Sequence, residues 1–223
     1  MAIATRTNED VKKDVVDQLY WDTAVDASDV KVEVSEGEVT LSGTVPSYGA
    51  YWSAEEDAWG IAGVWVVHNN LTIKYPPGAA APTDAEIREN IEKVLLWHPD
   101  MDSKDIDAAV DRGWVTLRGT VDTYWRKIRA EQLITGLNGV LGITNELAVV
   151  PTRDVADKVI AEDIQAAVER QSNIAPDLID ITVSGGKVTI TGSVPSLPAY
   201  RAIQRIAENT FGVVTVDNQV VIR

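Results

Sequence analysis

Cysteine is absent from all 223 residues, so neither a disulfide nor thiolate chemistry is open to this chain. Long hydrophobic runs are missing too. No window approaches the roughly 18 apolar residues of a transmembrane helix. The opening segment "MAIATRTNEDVKKDVVDQLYWD" lacks the apolar stretch of roughly 7–15 residues that marks a secretion signal. On that reading the chain is cytoplasmic as written, and periplasmic if a leader once preceded it. Basic charge is scarce: 20 Lys and Arg stand against 34 Asp and Glu, a net charge of −14. Phosphate recognition needs a basic surface, so no nucleic-acid partner is expected. Attraction to anionic lipid is disfavoured for the same reason. With 45% hydrophobic and 24% charged residues, global disorder is excluded.

What the chain does have is one phrase written three times. "GEVTLSGTV" (37–45) returns as "GWVTLRGTV" (113–121) and as "GKVTITGSV" (186–194). Shifts of 76 and then 73 residues superpose these phrases, and the same shifts align the segments on either side without a gap. Upstream, Val11, Val15 and Leu19 meet Ile87, Ile91 and Leu95, then Ile160, Ile164 and Val168. Each trio has the i, i+4, i+8 spacing of a helix with one buried stripe. Val32 and Val34, with their counterparts Ala108 and Val110, and Ile181 and Val183, alternate as in a half-buried strand.

The unit is therefore about 63 residues (11–73, 87–149 and 160–222) and reads helix, strand, strand, helix, strand. Its fold class is α+β, three tandem αββαβ units. Glycines at the first turn (Gly37, Gly113, Gly185–Gly186) suit a tight hairpin. The second helix is expected over 48–61, 124–137 and 197–210, with Gly63, Gly139 and Gly212 at its C-terminal side. The last strand runs parallel to its neighbour because a helix makes the crossover. Gly43, Gly119 and Gly192 fall inside a strand and mark close approach of another backbone. We assign that approach to the second helix, which carries the small residues Ala54, Ala58, Ala130 and Ala207. Asn69, Asn145 and Asn218 recur before the end of the last strand and are read as satisfying backbone groups. The boundaries are unit 1 at 1–75, a Pro/Ala-rich linker at 76–83, unit 2 at 84–150, a linker at 151–158 and unit 3 at 159–223. Charge is graded among them, with nets of −8 over 1–75, −4 over 76–150 and −2 over 151–223.

The pattern G-x-V-T-L-x-G-x-V, then a helix, then G-V and N-x-L, resembles the BON domain, here in three tandem copies of the OsmY type. The resemblance implies that each unit packs two helices on a three-stranded mixed sheet. It further implies a non-enzymatic protein of osmotic or envelope stress, with phospholipid or ligand binding and, in some members, chaperone-like action; no cofactor is expected.

The residues offer little chemistry of their own. His68 and His98 occupy non-equivalent positions and neither has a second histidine or a carboxylate at zinc-ligand spacing. "HPDMDSKDID" (98–107) lacks the Gly and Glu of a calcium loop and reads as a solvated acidic loop. No phosphate-binding or nucleophile-elbow motif occurs. Glu55–Glu56 lie on a helix surface with no pocket implied.

Tryptophan is the unusual signal: all seven fall in the first two units. Comparing equivalent positions sorts them. Trp65 meets Leu141 and Val214 and is expected in the core. Trp21 and Trp97 meet Arg170; Trp52 meets Ile128 and Arg201; Trp59 meets Thr135 and Glu208; Trp114 meets Glu38 and Lys187. Positions that turn charged in a sister unit are expected at the surface. With Trp125, these are the candidate binding residues, and Trp52 and Trp59 share one helix face. Packing between units, a protein or self-association surface, and lipid or small-molecule contact all remain open for them. A phospholipid-associated envelope protein and a small-ligand or ion sensor in the acidic first unit are the alternatives to a binding scaffold.

Overall fold

Each repeat begins with a helix whose first turn is fixed by its own sequence. The computed structural model describes residues 6–75 and 81–222; linker residues 76–80 lie outside the described residues. In the first repeat, α1 (Asn8–Trp21) starts from a capping box: Thr7 Oγ1 accepts from the Asp10 N–H and Asp10 Oδ2 accepts from the Thr7 N–H. Val11, Val15 and Leu19 form its buried stripe. A 3₁₀ turn leads into β1 (Val30–Ser35), which pairs antiparallel with β2 (Glu38–Val45). The chain then crosses over through α2 (Tyr48–Trp59) to β3 (Val66–Ile73), parallel to β2. The sheet order is β1-β2-β3, so the phrase common to all three repeats forms the central strand. Val39, Leu41 and Val45 of that strand meet the α1 stripe and Ala50, Ala54 and Ala58 of α2 in one core.

The second repeat carries the same elements in the same order: α3 (Asp84–Trp97), β4 (Ile106–Asp111), β5 (Trp114–Val121), α4 (Tyr124–Thr135), β6 (Gly142–Asn145) and β7 (Ala148–Val149). Its sheet order is β4-β5-β6, with β7 parallel to β5. It buries the equivalent positions, among them Ile87, Ile91, Leu95, Val115, Leu117 and Val121. The third repeat comprises α5 (Asp157–Glu169), β8 (Ile179–Ser184), β9 (Lys187–Val194), α6 (Leu197–Asn209), β10 (Thr215–Asn218) and β11 (Val221–Ile222). There β8 pairs antiparallel and both β10 and β11 pair parallel with the central β9. The protein is thus α+β, with three mixed sheets of three or four strands and six α-helices among the described residues.

The hairpin turns are two-residue loops with positive φ at both positions: Glu36–Gly37, Arg112–Gly113 and Gly185–Gly186. That is the type I′ geometry whose twist matches the strands it joins. A side chain from the first helical residue clamps each turn. Asn8 Oδ1 accepts from the Glu36 N–H (3.1 Å). Asp84 accepts from the Arg112 and Gly113 N–H groups (2.8 and 2.9 Å). Asp157 accepts from those of Gly185 and Gly186 (2.8 and 2.9 Å).

The strand glycines do a different job from the one expected. Gly43, Gly119 and Gly192 have φ of +117°, +119° and +129°. The backbone that crowds each is not the second helix. A Cβ there would run into the carbonyl of Asp29, Asp105 or Leu178, the residue leading into the first strand of the hairpin. The buried alanines of the second helix instead bring that helix down onto the core. Gly63 and Gly139 lie four residues beyond their helices and Gly212 three, at positive φ. There a Cβ would press on Val11, Ile87 or Ile160, the first buried residue of the opening helix.

Candidate functional site

The helix stripe determines which aromatics face water. Successive helical residues are rotated by about 100°, so residues one and two past Leu19 leave the buried face. Tyr20 and Trp21 therefore end α1 exposed, with Trp21 78% accessible and the two rings edge-to-face at 5.9 Å. The same step past Leu95 exposes Leu96 and Trp97, the latter 81% accessible. In the third repeat these positions are Glu169 and Arg170.

Of the other tryptophans, Trp52 and Trp114 are exposed as expected, and Trp65 and Trp59 are not where the sequence placed them. Trp65 is 52% exposed, not in the core. It leaves the start of β3 and lies across the hairpin turn, where a Cβ on Gly37 would strike its indole. Leu141 and Val214 cover Gly113 and Gly186 in the same way. Trp114, 60% exposed, lies over Gly142, the first residue of β6. Trp52 is 40% exposed and meets the Tyr48 ring edge-to-face at 6.2 Å. Trp59, seven residues on, instead packs against the first core, because the chain folds back there with the Val64 N–H bonded to the Ile61 carbonyl. The two do not form one exposed face. Trp125 is half-buried. Among the described residues no ring contact joins two tryptophans; the surface is a set of separate apolar knobs.

In the first two repeats the recurring asparagine pins the second helix to the last strand. Asn69 Nδ2 donates to the Tyr51 carbonyl (3.0 Å) and to Glu55 (3.2 Å), while its Oδ1 accepts from the Leu71 N–H (3.3 Å). Asn145 repeats all three bonds, with Lys127, Glu131 and Leu147. Asn218 keeps the bond from the Val220 N–H (3.2 Å), but its buried Nδ2 has no partner among the described residues. The residue at the Glu55 and Glu131 register is here Gln204, whose Oε1 is likewise buried without one.

Titratable groups do not converge. Among the described residues no group of three His, Asp or Glu could hold a metal ion. His68 stands 3.6 Å from Glu38, and His98 Nε2 lies 3.1 Å from Arg129 and its Nδ1 3.7 Å from Asp100. Burial raises the carboxyls of Asp57 and Glu208, partly offset by bonds from Gln18 and Gln204. A shallow groove of about 450 Å³ between α5 and α6 is lined by Ala166, Ala167, Ala202 and Ile206, with Arg170 and Arg205 exposed at its rim. No helix among the described residues is long and apolar enough to cross a membrane.

Comparison with known proteins adds four findings. The family model described as BON domain matches residues 7–75, 83–151 and 156–223. The osmotically-inducible protein Y of Escherichia coli is 28% identical over 126 residues, covering 55% of this chain and 63% of its own length. An uncharacterized protein of Anaplasma centrale, in the gshII 5' region, is 30% identical over 135 residues, covering 58% of this chain and 88% of its own. A solved structure of CdsD, a structural protein of the type III secretion system of Chlamydia trachomatis, matches at 14% identity and a TM-score of 0.27, covering 96% of this chain and 92% of that one. At that score it carries no structural argument.

Proposed function

The chain belongs to the BON domain family, in three tandem copies, and from that premise we propose that it is a non-enzymatic binding or scaffold protein linked to osmotic stress. It acts through apolar side chains that its first two repeats hold out to solvent. The stress link is supported by similarity to the osmotically-inducible protein Y, of which the chain covers 63%. The binding role is supported by one observation above the others. Tyr20 with Trp21, and Leu96 with Trp97, end their helices as exposed apolar pairs, while the third repeat has Glu169 and Arg170 there. Large aromatics dominate the energetics of protein interfaces, and two equivalent knobs on one chain permit bivalent capture.

The test is the double variant Trp21→Ser, Trp97→Ser. Both side chains lie outside the core, so the melting profile is expected to stay within a few degrees of the original. Capture of partners from osmotically stressed cells should fall at least tenfold. Unchanged capture by a folded double variant removes the reading. A phospholipid partner is the second reading, favoured because Tyr and Trp at an exposed helix end suit a membrane interface. Flotation with zwitterionic and with anionic vesicles separates the two, since Trp-dependent flotation of the pure protein assigns the surface to lipid.

A further inference from the structure

We infer that this protein associates head to tail with a second copy of itself, the start of α6 in one molecule seated on the end of α2 in the next. The inference goes beyond the binding reading above and uses other surfaces of the chain. It rests on a contact that the chain makes twice. One compact unit joins the first repeat to residues 110–115 and 135–142 of the second. Within it, a Cβ on Gly49, in the first turn of α2, would stand 3.8 Å from Gly136 Cα and from the Thr135 carbonyl at the end of α4. Within the other unit Tyr124, the first residue of α4, packs against the core of the third repeat. Burial there, with the Glu208 carboxylate nearby, raises the Tyr124 phenol, and the Val216 backbone hydrogen-bonds to it.

The repeat shifts place these two contacts at one register. Tyr48–Gly49 corresponds to Tyr124–Trp125, and Thr135–Gly136 corresponds to Glu208–Asn209. Both times the start of a second helix meets the end of the second helix in the following repeat. A contact between two different surfaces is heterologous, and a finite row of such contacts leaves one surface of each kind unfilled. Among the described residues, the surfaces this row leaves over are the end of α2 and the start of α6.

Both are apolar. The segments 110–115 and 135–142 correspond to 34–39 and 59–66 in the first repeat. That end carries the exposed Trp65 with half-buried Trp59 and Ile61 beside it. At the start of α6, Leu197 and Pro198 stand where the earlier repeats have Tyr48–Gly49 and Tyr124–Trp125. Charge disfavours a symmetric contact between two first repeats, which opposes two nets of −8, where first to third opposes −8 and −2.

The test is sedimentation equilibrium of the full chain from micromolar to several hundred micromolar. The weight-average mass should rise continuously above the monomer, as it does for an open chain of identical contacts. Trp65→Glu blocks one end and Leu197→Glu the other, so each variant alone should stay monomeric at concentrations where the parent associates. Mixed in equal amounts they should form a dimer and stop, because each retains the end that the other needs. A parent that is monomeric throughout overturns the inference. So do single variants that still associate, or a mixture that gives no dimer.

Because the chain has no cysteine, a second measurement is independent of those variants. The approach of Gly49 to Gly136 maps onto Pro198 and Gly60 of two molecules, so Pro198→Cys and Gly60→Cys chains should cross-link with each other under mild oxidation. Gly60→Cys with Glu162→Cys should not, and equal yields in the two mixtures overturn the inference. The Trp21→Ser, Trp97→Ser variant keeps both ends. It should self-associate like the parent while losing capture, so either reading can fail without the other.

Discussion

Alanine at Gly119 measures how much of this fold depends on one backbone position. Gly119 has a φ of +119°, and a Cβ there would lie 2.9 Å from the Asp105 carbonyl carbon and closer still to its oxygen. Holding a side chain at a φ of that kind costs about 1–3 kcal/mol. Relieving the overlap means withdrawing Asp105, whose carbonyl accepts from the Thr120 N–H at 3.0 Å. Losing that bond adds about 1 kcal/mol. The sum, about 2–4 kcal/mol, is a large share of the roughly 3–10 kcal/mol usual for a unit of this size.

The repeats need not unfold together, so a single melting temperature would blur the effect. Hydrogen exchange of the intact chain resolves it by segment. Peptides from β4 and β5 in Gly119→Ala should exchange about 30- to 700-fold faster, while those from β1 and β2 stay unchanged. Gly185→Ala is the control. Its φ of +58° is ordinary left-handed backbone and nothing lies within 4 Å of the added carbon, so about 1–2 kcal/mol is expected. The reasoning fails if Gly119→Ala exchanges like the parent, or if it is the milder of the two variants.

Two predictions concern pH. The Gly186 and Gly185 N–H groups hold the Asp157 carboxyl below the usual aspartate range. Its folded pKa is therefore below the unfolded one, and the stabilisation is complete above the unfolded value and lost as pH falls through the folded value. Taken from about pH 6 to about pH 3, the third repeat should lose urea resistance more steeply than the same repeat in Asp157→Asn; parallel slopes would contradict the clamp. Glu208 has the opposite sign. Burial raises its carboxyl, with Gln204 Nε2 donating to it at 2.8 Å and the raised Tyr124 and Tyr200 phenols nearby. Its contribution is present below the unfolded pKa and lost as pH rises through the folded one. Glu208→Gln should therefore raise the melting temperature more at about pH 7 than at about pH 5. A gain that is larger at the lower pH would contradict the assignment.

Much of this protein was legible because its signals are local. Val11, Val15 and Leu19 lie on one side of any helix that contains them, whatever covers them. Glu36–Gly37 makes a hairpin turn from its own two residues. The clamp from Asn8, Asp84 and Asp157 had a visible trace, three short polar side chains at one register. Its target lies 28 residues away, and nothing near Asp157 in sequence points to Gly185.

The sequence by itself determined three copies of one αββαβ unit, the central strand of each, and the stripe each opening helix buries. Periods of 3.6 and 2, and a repeat of 76 and 73 residues, require no knowledge of distant neighbours. Tertiary structure alone decided the place of two aromatics: Trp65 was aligned with aliphatic residues yet lies on a turn, and Trp59 was aligned with polar ones yet packs on the core. It also decided that Gly119 answers to Asp105, and that Tyr124 of one repeat enters the core of the next. A position on a helix or strand fixes the direction in which a side chain leaves the backbone. What it meets there is set by segments that only folding brings near.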